Sequence, residues 1–567
     1  TPFQYNIVVS KNTADVINEV VQTVSDIIKN NDLPELPIDR NPPIGDFALI
    51  CFPAAKVLKK NPNDISQEIA EELEKNEWII SAKNEKGYCN ITIDWNLICL
   101  KFIPEILGKN YGKGEIQQEK ILIEHTSANP TGPFHMGRAR NPIIGDSIAR
   151  LLNYYGHDVH TEYYVNDTGR QAATLAYGIK NYRINAKGKI DHDLVECYRS
   201  ASEDLKNNPD VKTIIYNKME LIESGDKEAL NEVKNAAKKM LEGMIISLKM
   251  LGTEVENYYH ESDLIASGKV VDVIELLKES PICKMEKGAY YLDLAKEDIA
   301  GRNQKFFFTR DNGLSLYTTR DIAYHIEKYK KYDRALNILG EDHKLQSKLL
   351  GIALRELDYK IPEVLFYSFV NLPGGKMSTR AGRVVYLDDI MEQITNLARE
   401  KLVEADLTEN EKDKLAKQIG IGSLRYNILK VQAEKGFTFN IEEALNLQGD
   451  SAPFAMYSHA RASAIIRNYD QEIPDVKMAN KLEESEIKLL RTLSKWPETI
   501  KKSVDNLAIH YIPNYIHSLS SDFNHFYRDC PVIGNENETF RINLVLCSKK
   551  ILSDSLSILG VHAPEIM

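Results

Sequence analysis

The N-terminal part of the chain combines helical and strand-like hydrophobic patterns. Between residues 13 and 29 the apolar residues recur every three or four positions, which predicts an amphipathic helix. An acidic helix is predicted over 64–76, and the alternating stretch WIISAKNEKGYCNITID (78–94) is typical of a β-hairpin. These elements predict a small α+β domain over residues 1–110, followed by the glycine-rich stretch YGKGE, whose composition suits a linker.

A short apolar strand followed by a glycine- and proline-rich loop begins the second pattern. The strand KILIEH (120–125) leads into TSANPTGP (126–133), then a helix over about 134–155, then the strand DVHTEYYV (158–165). This order is a βαβ unit, whose strands are parallel and whose ligands bind at the carboxyl ends of the strands. Because RALNILG and EVLFYSFV continue the pattern, we predict an α/β fold with a Rossmann-type parallel sheet over residues 115–385.

Two segments interrupt the parallel pattern. Residues from about 190 to 256 are rich in lysine and glutamate at helical spacing, which predicts a helical insertion; we interpret it as a solvated hairpin rather than a binding arm. From 288 to 317, GAYYLDL, KFFFT and LSLY predict an antiparallel meander, the last two strands being joined by a turn at Asp311-Asn312-Gly313. Beyond about 385 the pattern is almost wholly helical, which predicts a connecting region (386–449) and a separate α-helical domain (450–567).

Length and composition agree with several folded domains. A chain of 567 residues is too long to fold around a single hydrophobic core. Its composition, with 43% hydrophobic and 27% charged residues, excludes collagen-like and disordered proteins. No uncharged apolar run approaches the roughly 18 residues of a membrane span, and the N-terminus lacks the order of a signal peptide, so we expect a cytoplasmic location. The seven cysteines are odd in number and never spaced as CxxC, which favours neither a disulfide framework nor a zinc ribbon.

The net charge of −11 bears on nucleic-acid binding. It argues against a protein that holds nucleic acid by bulk charge. Local basic patches remain compatible with it, so the chemistry has to be sought in particular segments.

The loop after the first parallel strand delivers a histidine to a predicted helix N-terminus. It reads His125-Thr-Ser-Ala-Asn129-Pro-Thr-Gly-Pro-Phe-His135-Met-Gly137-Arg138. Free N–H groups and the helix dipole at that point favour phosphate oxygens, and Gly137 would let a base or ribose approach the backbone. The alternative is a surface histidine beside a helix cap.

A second loop, after the strand EVLFYSFV, is basic and flanked by glycines. It reads Pro373-Gly-Gly-Lys376-Met377-Ser378-Thr379-Arg380-Ala-Gly382-Arg383. Such a loop can close on a polyphosphate and stabilise the charge of a leaving pyrophosphate. A solvated basic loop is the alternative.

Together, about 240 residues apart, the two loops resemble the HIGH and KMSKS signatures of class I aminoacyl-tRNA synthetases. Further segments narrow the resemblance to arginyl-tRNA synthetases of the archaeal type: YYVNDTGRQ (163–171), LYTTRDIAYH (316–325), MYSHARASAIIR (456–467) and the terminal APEIM. GDFA (45–48) is similar to the added N-terminal domain of that family, so the resemblance covers nearly the whole chain. It implies that the parallel-sheet domain is catalytic and that the C-terminal helical domain binds the anticodon.

The resemblance implies a role for several residues of each loop. The implied catalytic residues are His135, Gly137, Arg138, Lys376, Ser378 and Arg380. The implied ATP-binding residues are Pro130, Thr131, Gly132, Pro133, Phe134, His135, Met136, Gly137, Arg138, His343, Lys376 and Met377. The implied tRNA-binding residues are Tyr457, His459, Arg461 and Met567. As a lone histidine at a strand end, His343 could equally be structural.

Arginine recognition is expected from a pair of residues on one helix. Tyr317 and Asp321 are four residues apart and therefore share a face, and a carboxylate pairs bidentately with a guanidinium. Glu261 matches by position the second carboxylate of the family. The alternative for Asp321 is an ion pair with the neighbouring Arg320.

Two asparagines complete the implied arginine site. The resemblance implies that Asn129 and Asn166 bind the α-amino and carboxylate ends of arginine. The residues beside them, Asp167 and Gln171, line the same strand end, and Asn166 or Asp167 could instead cap the helix that begins near Thr168.

The chain departs from the family signatures at two positions. Arg138 stands where the HIGH pattern has its second histidine, and Thr379 stands where the KMSK pattern has its second lysine. Some family members that lack this lysine carry a compensating one before the HIGH motif, where this chain has Gly132. Lys376, Arg380 or Arg383 could supply the charge, and the sequence leaves the choice open.

The resemblance implies an arginine–tRNA ligase. Such an enzyme activates L-arginine with ATP to arginyl-adenylate and transfers arginine to the 2′-hydroxyl of the terminal adenosine of tRNA-Arg, releasing AMP and diphosphate. The sequence has no apparent spacing of metal ligands, so Mg²⁺ is expected to arrive bound to ATP. The resemblance also implies that the protein is a monomer. The alternatives are another nucleotidyltransferase with an HxGH motif and a catalytically inactive RNA-binding paralogue.

Overall fold

The computed structural model describes residues 16–30, 34, 36–40, 42–184, 188–297, 304–372 and 385–567. Its N-terminal unit is a four-stranded antiparallel sheet, in the order β1-β2-β4-β3, with helices packed on it. The elements are α1 (Val16–Asn30), β1 (Ile38–Asp39), β2 (Phe47–Ile50), α2 (Phe52–Leu58), α3 (Pro62–Leu73), β3 (Ile79–Glu85), β4 (Tyr88–Ile93) and α4 (Trp95–Leu107). The predicted hairpin forms because Lys86 and Gly87 both adopt positive φ, as a two-residue turn requires.

The central unit contains a five-stranded, wholly parallel sheet in the order β12-β11-β5-β6-β7. Its strands are β5 (Lys120–Glu124), β6 (Asp158–Val165), β7 (Asn257–His260), β11 (Arg334–Gly340) and β12 (Glu363–Tyr367). The predicted α/β fold class is confirmed. Strand β7 was not predicted, because four residues of sequence NYYH carry no strand pattern long enough to recognise.

Helices cover both faces of this sheet and a small antiparallel sheet flanks it. The helices are α5 (Arg140–Tyr155), α6 (Gly169–Asn181), α7 (Ile190–Asn207), α8 (Pro209–Glu223), α9 (Lys227–Leu251), α10 (Glu261–Ala266), α11 (Lys269–Lys278), α12 (Tyr317–Tyr329) and α13 (Lys344–Glu356). The remaining strands are β8 (Cys283–Glu286), β9 (Ala289–Asp293), β10 (Lys305–Phe307) and β13 (Val370–Asn371). The segment interpreted as a helical hairpin thus contains three helices, α7 to α9.

The predicted meander is wrong in its last strand. The antiparallel sheet has the order β10-β9-β8, and LSLY contributes only an isolated bridge between Thr309 and Ser315. The reason is that α12 begins at Tyr317, the last residue of LSLY, so the segment turns helical.

The C-terminal part is a helical bundle. Its elements are α14 (Leu387–Glu400), α15 (Glu409–Leu429), β14 (Phe437–Thr438), α16 (Ile441–Ala444), α17 (Ala452–Arg467), α18 (Glu484–Ser494), α19 (Trp496–Asp505), α20 (Tyr511–Asp529) and α21 (Glu538–Ile558). Across the described ranges, we find no helix with the length and apolar character needed to span a membrane.

Buried polar contacts join the bundle to the central unit. Arg425 of α15 is fully buried and forms an ion pair with Asp146 of α5. Its guanidinium also donates to the carbonyls of Leu251 (3.1 Å) and Leu559 (2.7 Å).

The N-terminal unit is attached to the bundle through Asp46. This buried carboxylate, in the segment GDFA, accepts hydrogen bonds from the backbone N–H of Ile93, the indole of Trp95 and the guanidinium of Arg491. The hydroxyl of Tyr111 donates to the carbonyl of Leu493 at 2.8 Å. The first and last units of the chain are therefore packed together.

Candidate active site

The predicted functional segments follow the carboxyl ends of neighbouring parallel strands. The loop 125–138 follows β5, residues 166–171 follow β6, Glu261 follows β7 and His343 lies just beyond β11. In a parallel sheet these ends share one edge, where ligands bind. The structure therefore brings the histidine loop and the candidates that follow these strands to one edge.

The loop after β5 is held in a strained conformation. Thr126 and Ser127 have positive φ values of 73° and 30°, which side-chain-bearing residues adopt at a cost. The Thr126 N–H donates to Asn141 Oδ1 at 2.7 Å, and Ser127 Oγ accepts from the N–H of Tyr164 at 3.1 Å. These contacts fix the path of the loop toward His135.

His135 lies at the start of a short 3₁₀ turn over Met136–Arg138, rather than in the continuous helix predicted over 134–155, since α5 begins only at Arg140. The side chains of Pro130, Pro133, Phe134 and Met136 are buried, whereas His135 and Arg138 are exposed. Partial burial, with the nearby charges of Arg138 and Arg199, lowers the pKa of His135, which keeps the ring neutral near pH 7.

The residues that follow the basic loop are bonded directly to this histidine loop. Tyr386 forms a β-bridge with His135, and their ring centroids are 5.7 Å apart. The N–H of Leu387 donates to the carbonyl of Phe134 at 2.8 Å. The basic loop itself, with Lys376, Met377, Ser378, Thr379, Arg380 and Arg383, lies outside the described residues.

A buried arginine ties the same region to the C-terminal part. The Arg140 guanidinium, at the start of α5, donates to the carbonyls of Ser368 (2.8 Å), Gln432 (2.8 Å) and Lys435 (2.7 Å). The segments before the basic loop and after α15 are thereby fixed to the helix that carries the histidine loop.

Two of the arginine-binding candidates, Glu261 and Asp321, both lie close to the buried hydroxyl of Tyr164. Arg320 is buried and pairs with Glu261, its Nε lying 3.4 Å from Oε1, and it donates to Thr168 Oγ1 at 2.8 Å. Thr168 also donates to Glu261. Burial raises the pKa of the Glu261 carboxyl, against the opposing effect of Arg320.

Asp321 does not form the ion pair with Arg320 that was the alternative interpretation. Its Oδ1 lies 3.2 Å from Nδ1 of His325, which also contacts the backbone carbonyl of Asp321 at 2.8 Å, and its side chain is 26% exposed. Burial opposes ionisation, but His325 and Lys328 lower the pKa of Asp321 below its ordinary value. An ionised, accessible carboxylate is what a guanidinium requires. Tyr317, 59% exposed, begins the same helix.

Tyr164 belongs to this group and was not predicted. Its hydroxyl is buried near the carboxylate of Glu261 and has no hydrogen-bond partner among the described residues. Burial, together with the charges of Glu261 and Asp321, raises the pKa of Tyr164, so the hydroxyl stays protonated beside the two carboxylates. Sequence reasoning passed over it because it lies inside a strand.

Lys328 is another residue that sequence reasoning missed. Its Nζ is buried and donates to Glu124 (2.6 Å) and to Asn337 (2.9 Å), beneath Asp321 and His325. A signal was available, because Asp321, His325 and Lys328 are spaced i, i+4 and i+7 and so share one face of α12.

The remaining candidates have separate environments. Asn129 donates to Gln171 Oε1 at 2.7 Å, whereas Asn166 is half-buried between β6 and α6. Asp167 does not cap α6; it accepts hydrogen bonds from His260 Nδ1 (2.8 Å) and from Ser262, and so shapes the β7–α10 junction. His343 is 43% exposed beside Gln346.

A charged cluster, which we call the α7–α14 clamp, lies beside Tyr386. It consists of Lys189, Asp191, His192, Ser247 and Asp388. Lys189 Nζ is 2.5 Å from Asp388 and 3.1 Å from Asp191, and His192 Nε2 is 2.7 Å from Asp388. Ser247 Oγ donates to Asp388 at 2.7 Å. The clamp joins the helical insertion to the helix that follows the basic loop.

Three of these residues have the spacing of metal ligands. The ligand atoms of Asp191, His192 and Asp388 lie within 4.8 Å of one another. However, the ammonium group of Lys189 already forms ion pairs with both carboxylates. The two aspartates therefore bind a lysine, and the cluster does not suit Mg²⁺.

We expect the clamp to make stability depend on pH. The hydrogen bond to Asp388 raises the pKa of His192. Because the pKa of His192 is higher in the folded than in the unfolded protein, the charged ring stabilises the fold fully below the unfolded pKa of about 6.5. This stabilisation is lost as the pH rises through the folded pKa. Burial opposes ionisation of Asp388, but His192, Lys189 and Ser247 lower its pKa to about 2, so this carboxylate stays ionised at pH 6.

His192→Asn should therefore lower the melting temperature by about 1 °C at pH 6, and by less at pH 8.5. The same substitution at His525, exposed on α20, is the control. Equal losses from His192→Asn at both pH values would contradict the charge-based account.

The C-terminal candidates separate onto two faces of α17. The half-buried Arg461 guanidinium lies 4.7 Å from the ring centroids of Tyr457 and of Tyr527, forming an arginine–aromatic stack whose two tyrosines are exposed. His459 is not on this surface; its ring is buried and bonded to the carbonyl of Pro564 at 2.8 Å. The reason is helical spacing, since 457 and 461 share a face and 459 points away. Met567 is half-buried against the core.

Comparison with known protein families gives matches along nearly the whole chain. A model described as tRNA synthetases class I (R), catalytic domain, matches residues 103–441. A DALR anticodon binding domain model matches residues 455–567, and an arginyl tRNA synthetase N-terminal domain model matches residues 12–93.

Individual relatives agree with these matches. The chain is 36% identical to an arginine–tRNA ligase of Methanocaldococcus jannaschii, over 98% of this chain and 100% of that protein. It is 37% identical to one of Archaeoglobus fulgidus, over 91% of this chain and 94% of that protein. Among solved structures, the Thermus thermophilus arginyl-tRNA synthetase superposes with a TM-score of 0.81 at 25% identity, over 97% of this chain and 100% of that one.

Proposed function

Because the chain belongs to the arginyl-tRNA synthetases, class I ligases that charge tRNA with arginine, we propose that the pocket around Asp321 binds the guanidinium of arginine. The observation that carries this proposal is the ionised, 26% exposed carboxylate of Asp321, held in place by His325. Glu261 is neutralised by Arg320, so its role is to shape the pocket wall together with Thr168. Tyr317 covers the entrance, and Asn129 and Asn166 bind the amino-acid end.

The chemistry follows from this placement. The arginine carboxylate attacks the α-phosphorus of ATP, a new P–O bond forms, and the bond to pyrophosphate breaks. His135 is neutral and can donate one N–H to a phosphate oxygen, while Arg138 adds a positive charge at the turn. The 2′-hydroxyl of the terminal adenosine of tRNA-Arg then attacks the carbonyl carbon of the adenylate and AMP leaves. Positioning and electrostatics supply most of the rate, since no side chain forms a covalent bond.

ATP is the energy source of class I synthetases, and we propose that Mg²⁺ enters with it as part of the substrate. The buried side chains of Phe134 and Met136 shape the loop from within, so that its backbone, with His135, Arg138 and His343, faces the nucleotide. Lys376, Met377, Ser378 and Arg380 are proposed to approach the phosphates from the other loop.

For the tRNA we propose the stack of Tyr457, Arg461 and Tyr527 as a contact for single-stranded bases, because aromatic and guanidinium planes stack on unpaired bases. We also propose Met567 as a contact for the tRNA. We further propose a monomer acting in the cytoplasm, where tRNA is charged.

The proposal is tested by arginine-dependent exchange of pyrophosphate into ATP, measured with and without tRNA-Arg. Exchange should depend on arginine and, as is usual in this family, on tRNA. Exchange supported by a different amino acid but not by arginine would refute the proposed substrate. Binding of tRNA without any consumption of ATP would instead indicate an inactive RNA-binding paralogue.

A further inference from the structure

Arg199, in the helical insertion, reaches the residues that flank the active-site histidine. Its Nη2 donates to the hydroxyl of Tyr386 at 2.6 Å, and its Nη1 is 2.5 Å from Glu196. The side chain is 50% exposed, so the guanidinium faces solvent rather than a closed core.

Tyr386 connects this guanidinium to His135. The two residues form a β-bridge, and the edge of one ring faces the other at 5.7 Å between centroids. The positive charge of Arg199 is one of the causes that lower the pKa of His135, which places the two groups in the same electrostatic environment.

The insertion holds Arg199 in place through the α7–α14 clamp. Lys189 and His192, at the start of α7, both contact Asp388 of α14. Helix α7 is therefore fixed to the element that follows the basic loop, and the segment is not merely a solvated hairpin.

The sequence lacks one positive charge of the family signature. Thr379 replaces the second lysine of the KMSK signature, and Gly132 stands where some relatives carry a compensating lysine. A leaving pyrophosphate concentrates negative charge, and cations aimed at it supply much of the catalysis in phosphoryl and nucleotidyl transfer.

We propose that Arg199 is a further substrate-binding residue, which binds the β- and γ-phosphates of ATP and stabilises the leaving pyrophosphate in place of the missing lysine. Glu196 holds the guanidinium until the nucleotide arrives, and the Tyr386 hydroxyl orients it toward the loop of His135. This inference rests on the proposed function.

The test is steady-state pyrophosphate exchange by the full chain. Arg199→Ala should lower kcat/KM for ATP by about 10- to 100-fold, the usual effect of losing a charge-assisted hydrogen bond, while KM for arginine changes by less than about 2-fold. Arg199→Lys should recover part of the loss. Arg355→Ala, which removes a similarly exposed arginine paired with Glu297, is the matched control and should have no effect.

A second variant makes the test specific. Thr379→Lys restores the lysine of the signature, so in the Arg199→Ala background it should recover much of the lost kcat/KM for ATP. Equal activity of Arg199→Ala and Arg355→Ala, or a failure of Thr379→Lys to rescue, would overturn the assignment of Arg199. Absence of arginine-dependent exchange in the parent enzyme would refute the proposed function instead.

Discussion

Replacing Asp321 by alanine is expected to raise KM for arginine by about 100-fold, while KM for ATP stays within about 2-fold. The guanidinium of arginine would be placed in the pocket without its carboxylate partner, because Glu261 is already engaged by Arg320. The measurement is arginine-dependent pyrophosphate exchange with each substrate varied in turn.

Asp321→Asn separates charge from shape, since it keeps the volume of the side chain and removes only the negative charge. It should lose nearly as much as the alanine variant. Asp311→Asn, in the exposed turn before α12, is the matched control. A similar rise of both Michaelis constants in the Asp321 variants would mean that the residue supports the fold of the site rather than binding arginine.

Arg425→Met is expected to destabilise the protein by about 3–5 kcal/mol, which corresponds to a fall of about 3–4 °C in the melting temperature of a chain this long. The guanidinium is fully buried and is bonded to Asp146, Ser147, Thr253 and two carbonyls, so its removal leaves Asp146 with Arg150 alone. Differential scanning calorimetry of the full chain would measure the loss.

Arg399→Met is the control, because Arg399 pairs with Glu409 and Asp413, which are largely exposed, and ion pairs in contact with solvent add little to stability. In the double variant Asp146→Leu/Arg425→Met the loss should be smaller than the sum of the single losses, since neither charge is left alone. Additive losses would show that the two charges do not depend on each other.

The pattern of apolar and polar residues along the chain predicted much of the fold, and each wrong or missed element has an identifiable cause. Strands β5, β11 and β12 were predictable because each contains an apolar run bounded by turn signals, and β6 because it directly follows the helix that Gly156 ends. Strand β7 is only four residues long, and its pairing with β6 is set by tertiary packing. The segment LSLY alternates apolar and polar residues as a strand does, but its last residue, Tyr317, is the first residue of α12, so the segment leads into a helix instead.

The site was predictable where its residues share a loop or a helix face. His135 and Arg138, or Tyr317 and Asp321, are close in sequence and could be grouped by spacing. Arg199, Tyr386 and Asp388 come together only because separate helices pack, so no sequence pattern joins them. His459 shows the opposite error: the resemblance grouped it with Tyr457 as a tRNA-binding residue, although two residues along a helix point to different sides.

The bond between Asp46 and Arg491 has a consequence for synthesis on the ribosome. The two residues are 445 positions apart, so at roughly 5–20 residues per second the arginine is made about 20 to 90 seconds after the aspartate. During that interval the newly made N-terminal unit exposes the surface that later packs on the bundle. Final docking of the first domain must therefore wait for nearly the last helices to be translated.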